Sequence, residues 1–105
     1  MAPQVYVCGQ LFETDMQLLA KQKVRTVVNN RFDDESTGQP TSADLAKAAE
    51  EYGISFVHFP VDAISITDEE LKSFAAIADD LERPLFLFSR SGKRSIKLWE
   101  KAELL

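Results

Sequence analysis

"LFLFSRSGKRSIKLW", residues 85–99, decides how this chain is built. An unbroken apolar run, Leu85 to Phe88, stops at Ser89. A turn of basic, hydroxyl and glycine residues follows, and an apolar pattern then resumes with helical spacing through Ile96, Leu98 and Trp99. A continuous apolar strand is the pattern of a strand covered on both faces. A strand that runs through a short turn into a helix is the repeating unit of an α/β sheet.

Working outward, the same unit recurs. "QVYVCG" (residues 4–9) reads as a strand, and "FETDMQLLAKQ" (12–22) as a helix with Met16, Leu19 and Ala20 on its apolar side. "VRTVVNN" (24–30) is a β-branched strand, and "RFDDESTGQPTS" (31–42) is a loop rich in turn formers. Thr41 or Ser42 suits the N-cap of a helix from Ala43 to Tyr52, with Gly53 as its C-cap. "ISFVHFP" (54–60) is a third strand. Thr67 caps "DEELKSFAAIADDL" (68–81), whose first turn carries the acids that the helix dipole favours. Pro84 leads into the strand Leu85–Phe88, and the last helix runs from about Lys93 to Glu103. Strand and helix alternate four times, which predicts one domain, residues 1–105, folded as a three-layer α/β/α sandwich around a four-stranded, mainly parallel sheet. Leu98 and Trp99 are expected in its core.

Composition narrows the function. Hydrophobic residues are 45% of the chain, enough for an ordinary interior. No apolar run approaches the roughly 20 residues of a membrane span. The start, "MAPQVYVCG", has neither the basic end nor the apolar core of a secretory signal, so a cytoplasmic location is expected. One cysteine, Cys8, and one histidine, His58, cannot form a structural zinc site, so neither metal nor cofactor is expected. The net charge of −5 argues against nucleic acid as partner. That charge is uneven: Arg83, Arg90, Lys93, Arg94, Lys97 and Lys101 stand against Glu100 alone, a local +5 on a remainder of −10. A basic focus on an acidic body suits a small anion or a phosphorylated group. Lys97 and Lys101 also fit a solvated helix end.

In such sheets the ligand site lies at the carboxyl ends of the strands. There the turn after Phe88 offers backbone N–H groups and the positive end of a helix. Gly92 permits a positive φ and a close approach, while Arg94 presents a rigid fork matched to an oxyanion and Arg90 adds charge. Arg90, Ser91, Gly92, Lys93, Arg94 and Ser95 are therefore the expected anion-binding residues.

"LFLFSRSGKRS" resembles the active-site loop of the bacterial cysteine-phosphatase-like domains of the beta-lactamase-hydrolase-like phosphatase family. "VYVCGQL", "VVNNRFDDE" with "GQP", "EYGISFVHFPV" and "SITDEELKSF" extend the likeness over nearly the whole chain. The resemblance implies a dual-specificity-phosphatase type of fold with strand order 1-4-2-3. It also implies a loop written Cys-x-x-Gly-x-Arg, onto which Gly92 and Arg94 fall as the glycine and arginine. Ser89 stands where the family has its nucleophilic cysteine. A thiol of pKa about 8.5 can be brought down by several units beside arginine at a helix N-terminus, at about 1.4 kcal/mol per unit. A serine hydroxyl starts too far above neutrality for that field and would need a general base. His58, inside a strand, reads as a hydrogen-bonded core residue instead. The resemblance implies phosphate monoester hydrolysis through a thiol as the parent chemistry, with this chain expected to be an inactive or substrate-trapping Ser89 form of it.

Two alternatives accompany that reading: a rhodanese-like sulfur transferase and a non-catalytic phosphate- or sulfate-binding module. The loop carries four residues between Ser89 and Arg94, as in many rhodaneses, against five in classical tyrosine phosphatases. The resemblance further points to Asp62 as the general acid, with Ser89 and Arg94 completing the catalytic set. Asn30, Arg31 and Glu35 would support the loop, Glu35 by pairing with Arg94 or Arg31. Cys8 ends the first strand, next to Ser89 in the implied order, and reads as a buried, inert thiol.

Overall fold

A computed structural model of the chain describes residues 3–105. The elements are β1 (Val5–Cys8), α1 (Asp15–Lys21), β2 (Thr26–Asn29), α2 (Ser42–Glu51), β3 (Ser55–His58), α3 (Asp68–Ala78), β4 (Leu85–Phe88) and α4 (Lys93–Glu103). The four strands form one parallel sheet in the order β1-β4-β2-β3. The expected architecture and strand order are both present.

Period-two alternation divides the core. On β4, Leu85 and Leu87 face a cluster with Phe74 of α3 and Leu98 and Trp99 of α4. Phe86 and Phe88 face the opposite cluster, with Met16 and Leu19 of α1 and Leu45 and Ala49 of α2. The central strands β2 and β4 are thus covered on both sides, and the edge strand β3 is half open. Aromatic edges lock the α3–α4 layer: Phe74 meets Phe59 at 5.3 Å and Trp99 at 5.9 Å, centroid to centroid.

Helix ends follow local chemistry. Thr41 caps α2 by accepting from the Asp44 amide, so the helix begins at Ser42, one residue before the sequence reading. It stops at Glu51, with Tyr52 at the cap and Gly53 just beyond at φ +72°. A reciprocal capping box joins Thr67 and Glu70 at the start of α3. α3 ends at Ala78 instead of Leu81, because Asp80 and Leu81 turn back onto Ile77 and Ala78 in shorter loops. α1 starts at Asp15 instead of Phe12, since the Asp15 carboxylate caps the Phe12 amide in a preceding turn. α4 has the predicted bounds.

One core assignment is corrected. His58 ends the edge strand and is exposed, with its Nε2 2.6 Å from the Arg31 carbonyl oxygen. An edge strand has no neighbour to bury it, so the ring bonds across a loop rather than within a core.

Because Phe74 is fully buried at the meeting of both aromatic pairs, Phe74→Ala is expected to destabilise the fold by about 3–5 kcal/mol. Thr67→Ala, which removes only the cap, should cost about 1 kcal/mol. Urea denaturation checks both, and similar losses would contradict this ranking.

Candidate functional site

The loop from Ser89 to Gly92 joins the end of central β4 to the start of α4. Two neighbours set its shape. The Arg90 carbonyl accepts from the Gln10 amide at 3.3 Å, tying the loop to the turn after β1. Gly92 sits at φ +91°, where an added Cβ would lie 3.2 Å from the Cys8 carbonyl oxygen and 3.2 Å from Val7 Cγ1. Both the backbone sign and the close approach demand glycine.

Ser89 is 1% exposed and its hydroxyl is held from two sides. Its Oγ accepts from the Gly92 amide at 3.1 Å and from the Ser95 amide at 3.4 Å. Both lone pairs are thereby used, and among the described residues no acceptor takes the hydroxyl hydrogen. The N–H groups of Lys93 and Arg94 belong to the first turn of α4, which has no carbonyls to reach. Ser95 is fully buried and donates to Asn30 Oδ1 at 2.7 Å, while Asn30 Nδ2 donates to the Phe59 carbonyl. Asn30 therefore couples the ends of β2 and β3 to the first turn of α4.

Arg94 is clamped from behind. Its Nη1 and Nη2 reach Glu35 at 2.7 and 3.0 Å, and Nη1 also donates to the carbonyls of Asn30 and Val61. Nε is buried with no partner among the described residues. Glu35 also accepts from Arg31 Nε at 3.0 Å and from the Phe32 amide at 2.8 Å. Burial raises the Glu35 pKa, but hydrogen bonds from Arg94, Phe32 and Arg31, with the Arg94 charge, outweigh it and bring the group to about 2. Arg31 is 3% exposed and does not line the cleft; it binds Glu35, Gln10 and Ser36 and orders the β2–α2 loop.

Ser89, Arg90, Ser91, Lys93, Arg94, Lys97 and Ala63 line one cleft of about 380 Å³. A roomier groove of about 480 Å³ between α1 and α2 carries Glu13, Asp44 and Glu51 against a single lysine and is unsuited to an anion. Most of the expected anion-binding residues are thus together, with Gly92 and Ser95 supporting from below. Asp62 lies beside the cleft and not in its lining. Hydrogen bonds from the Ile64 and Ser65 amides to its Oδ1, aided by the Arg94 charge, hold this exposed carboxyl below the ordinary range. That favours the carboxylate, the opposite of what a resting proton donor needs.

Cys8 is placed away from the chemistry. It pairs with Phe88 across the sheet and packs with it on the α1–α2 face, whereas the Ser89 hydroxyl meets α4 on the other. Cys8 is half-buried, and burial, with the Asp15 charge, pushes the thiol up to about 11. Sequence reasoning missed Gln10 and Lys97. Gln10 lies in the polar "CGQ" segment at a strand end, and Lys97 lies three residues beyond Arg94 on the same helix face.

Known proteins share the family and the fold of this chain. The family model described as "Beta-lactamase hydrolase-like protein, phosphatase-like domain" matches residues 1–105. The chain is 28% identical over 99 residues to the beta-lactamase hydrolase-like protein of Agrobacterium fabrum, covering 94% of this chain and 23% of that protein. The Xylella fastidiosa (strain Temecula1) protein of the same name is 25% identical, again with 23% of its length covered. The chain therefore spans about a quarter of these curated relatives. Among solved structures, a "putative phosphatase" from Neisseria meningitidis Z2491 superposes with TM-score 0.83 at 30% identity, covering 90% of this chain and 68% of that one. A protein of the same description from Shewanella putrefaciens CN-32 shares the fold, with TM-score 0.80 at 23% identity, over 99% of this chain and 65% of that one.

The Glu35 bridge makes stability depend on acid. Its folded pKa of about 2 lies below the usual 4.5, so the ionised group stabilises the fold above pH 4.5 and loses that contribution as pH falls toward 2. Glu35→Gln should cost about 2–3 kcal/mol at pH 7 after allowance for partial exposure, and the gap should close through that window. Urea midpoints against pH, read by circular dichroism, would show a constant gap if the bridge were not responsible.

Proposed function

The chain belongs to the family of phosphatase-like domains of beta-lactamase hydrolase-like proteins, and on that premise we propose that it binds a phosphate or sulfate group without turning it over. The observation that supports this most directly is the Ser89 hydroxyl. Its oxygen takes two N–H donors, so its hydrogen is left to donate into the cleft. An oxyanion is the acceptor such a donor fits. The helix amides, Arg94 Nε and the neighbouring Lys93 add complementary charge.

The same two amides explain what a cysteine would do at this position. Pointed at sulfur, they and the helix dipole would favour the thiolate, which is the species that attacks phosphorus or sulfur. A thiolate at this point would displace the alcohol of a phosphate ester and form a thiophosphoryl intermediate, or would attack the sulfane sulfur of thiosulfate, expelling sulfite and leaving a persulfide. The serine hydroxyl lacks a base: His58 is committed to the Arg31 carbonyl in another loop. Asp62 is ionised in the ligand-free chain. An anion bound nearby would raise its pKa and let it take the proton that a leaving alkoxide requires.

As the chain stands, hydrolysis of aryl phosphates and sulfur transfer from thiosulfate to cyanide are both expected to be negligible. Ser89→Cys should create a thiol with pKa well below about 8.5 and measurable turnover in at least one assay. Asp62→Asn in that background should lower turnover of phosphate esters. Cys8→Ser should change neither result, and loss of an existing activity through that change would reassign the nucleophile. Arg94→Ala should weaken sulfate binding by about 1.5–3 kcal/mol in calorimetric titration.

A further inference from the structure

The cleft beside Ser89 is larger and more positive than a single oxyanion requires. Its volume of about 380 Å³ falls within the roughly 300–1,000 Å³ of sites for small organic ligands, and one phosphate fills only a minor part of that. Four cations, Arg90, Lys93, Arg94 and Lys97, line it, and no acid does. The carboxylates closest to it in the fold are already engaged. Glu35 is held by Arg31 and Arg94, and Asp62 accepts from the Ile64 and Ser65 amides. Among the described residues the ion pairs are Arg25–Glu82, Arg31–Glu35 and Arg94–Glu35. Among the described residues, Arg90, Lys93 and Lys97 therefore bring to one cavity three charges that form no ion pair.

Lys97 is the cation set apart. It lies on α4, three residues beyond Arg94 and four beyond Lys93, so all three share a helix face. At a rise of about 1.5 Å per residue it stands about 4.5–6 Å further from the loop amides along the helix axis. Its ammonium donates to the Ile64 carbonyl at 3.3 Å, which holds the side chain over the cleft wall formed by Ala63. A group bound on the loop amides and Arg94 would leave Lys97 facing a second position one helical turn away.

We propose that the cleft takes a small molecule with two anionic groups, a bisphosphate or a phosphate–carboxylate compound. The first group sits on the Ser89–Arg94 loop and the second on Lys97, with Arg90 and Lys93 flanking both. The inference rests on the oxyanion-binding reading of the loop and names the ligand class that reading leaves open.

The test is calorimetric titration of the intact chain with inorganic phosphate and with inorganic pyrophosphate, in about 0.15 M salt, where charges beyond about 8 Å are screened. Unmodified protein should bind pyrophosphate at least about tenfold more tightly than phosphate, as one further charged hydrogen bond provides. Lys97→Gln should remove most of that preference and leave phosphate affinity within about twofold. Lys101→Gln, which alters net charge equally but lies outside the cleft, should leave both affinities within about twofold. A preference that survives Lys97→Gln, or equal losses from both lysine variants, would overturn the second position. Failure of unmodified protein to bind phosphate at all would instead overturn the oxyanion reading beneath it.

Discussion

One carboxylate, Glu35, holds two guanidinium groups that the fold has nearly removed from water. Arg31 and Arg94 side chains are 4% and 12% exposed; Arg31 ends on Oε1 of Glu35 and Arg94 on both of its oxygens. A guanidinium left unpaired at that depth would carry a large desolvation penalty, so neither arginine is tolerable there without the acid. The bridge also joins two loops distant in sequence, the one after β2 and the one after β4. Two positive charges against one negative leave a net positive charge at the cleft.

The rest of the site is organised from this bridge outward. With its Nη atoms turned to Glu35, Asn30 and Val61, Arg94 keeps Nε as its uncommitted donor. Asn30 then fixes Ser95, whose amide supports the Ser89 hydroxyl. The Ser95–Asn30 bond, at 2.7 Å between buried side chains, is the link whose partners are most costly to lose. Preorganisation of this kind lets a ligand meet donors already in place.

The polypeptide by itself determined its layers. Apolar Leu85–Phe88 between turn residues specified a strand buried on both faces, because only a sheet covered by helices hides every side chain of such a run. Thr41, Thr67 and Gly92 marked helix starts through local chemistry that needs no distant partner. The loop from Ser89 to Arg94 was legible for the same reason: its donors are consecutive in the chain.

Tertiary structure decided what the side chains at the strand ends do, since their partners come from other loops. Strand order was implied by family resemblance and not by the strand pattern, because apolar runs carry no record of which neighbour they pair with. Arg31 read as a support of the ligand loop, and which groups it binds, Gln10, Glu35 and Ser36, came only from the fold. His58 looked like a core residue until β3 proved to be the sheet edge. Cys8 ends β1 and Ser89 directly follows the adjacent β4, but their side chains lie on opposite faces. Lys97 read as a solvated helix cation until the β3–α3 loop closed over that turn of α4 and made it part of the cleft. Spacing along one element can be read from sequence, whereas contacts between loops depend on how the sheet brings strand ends together.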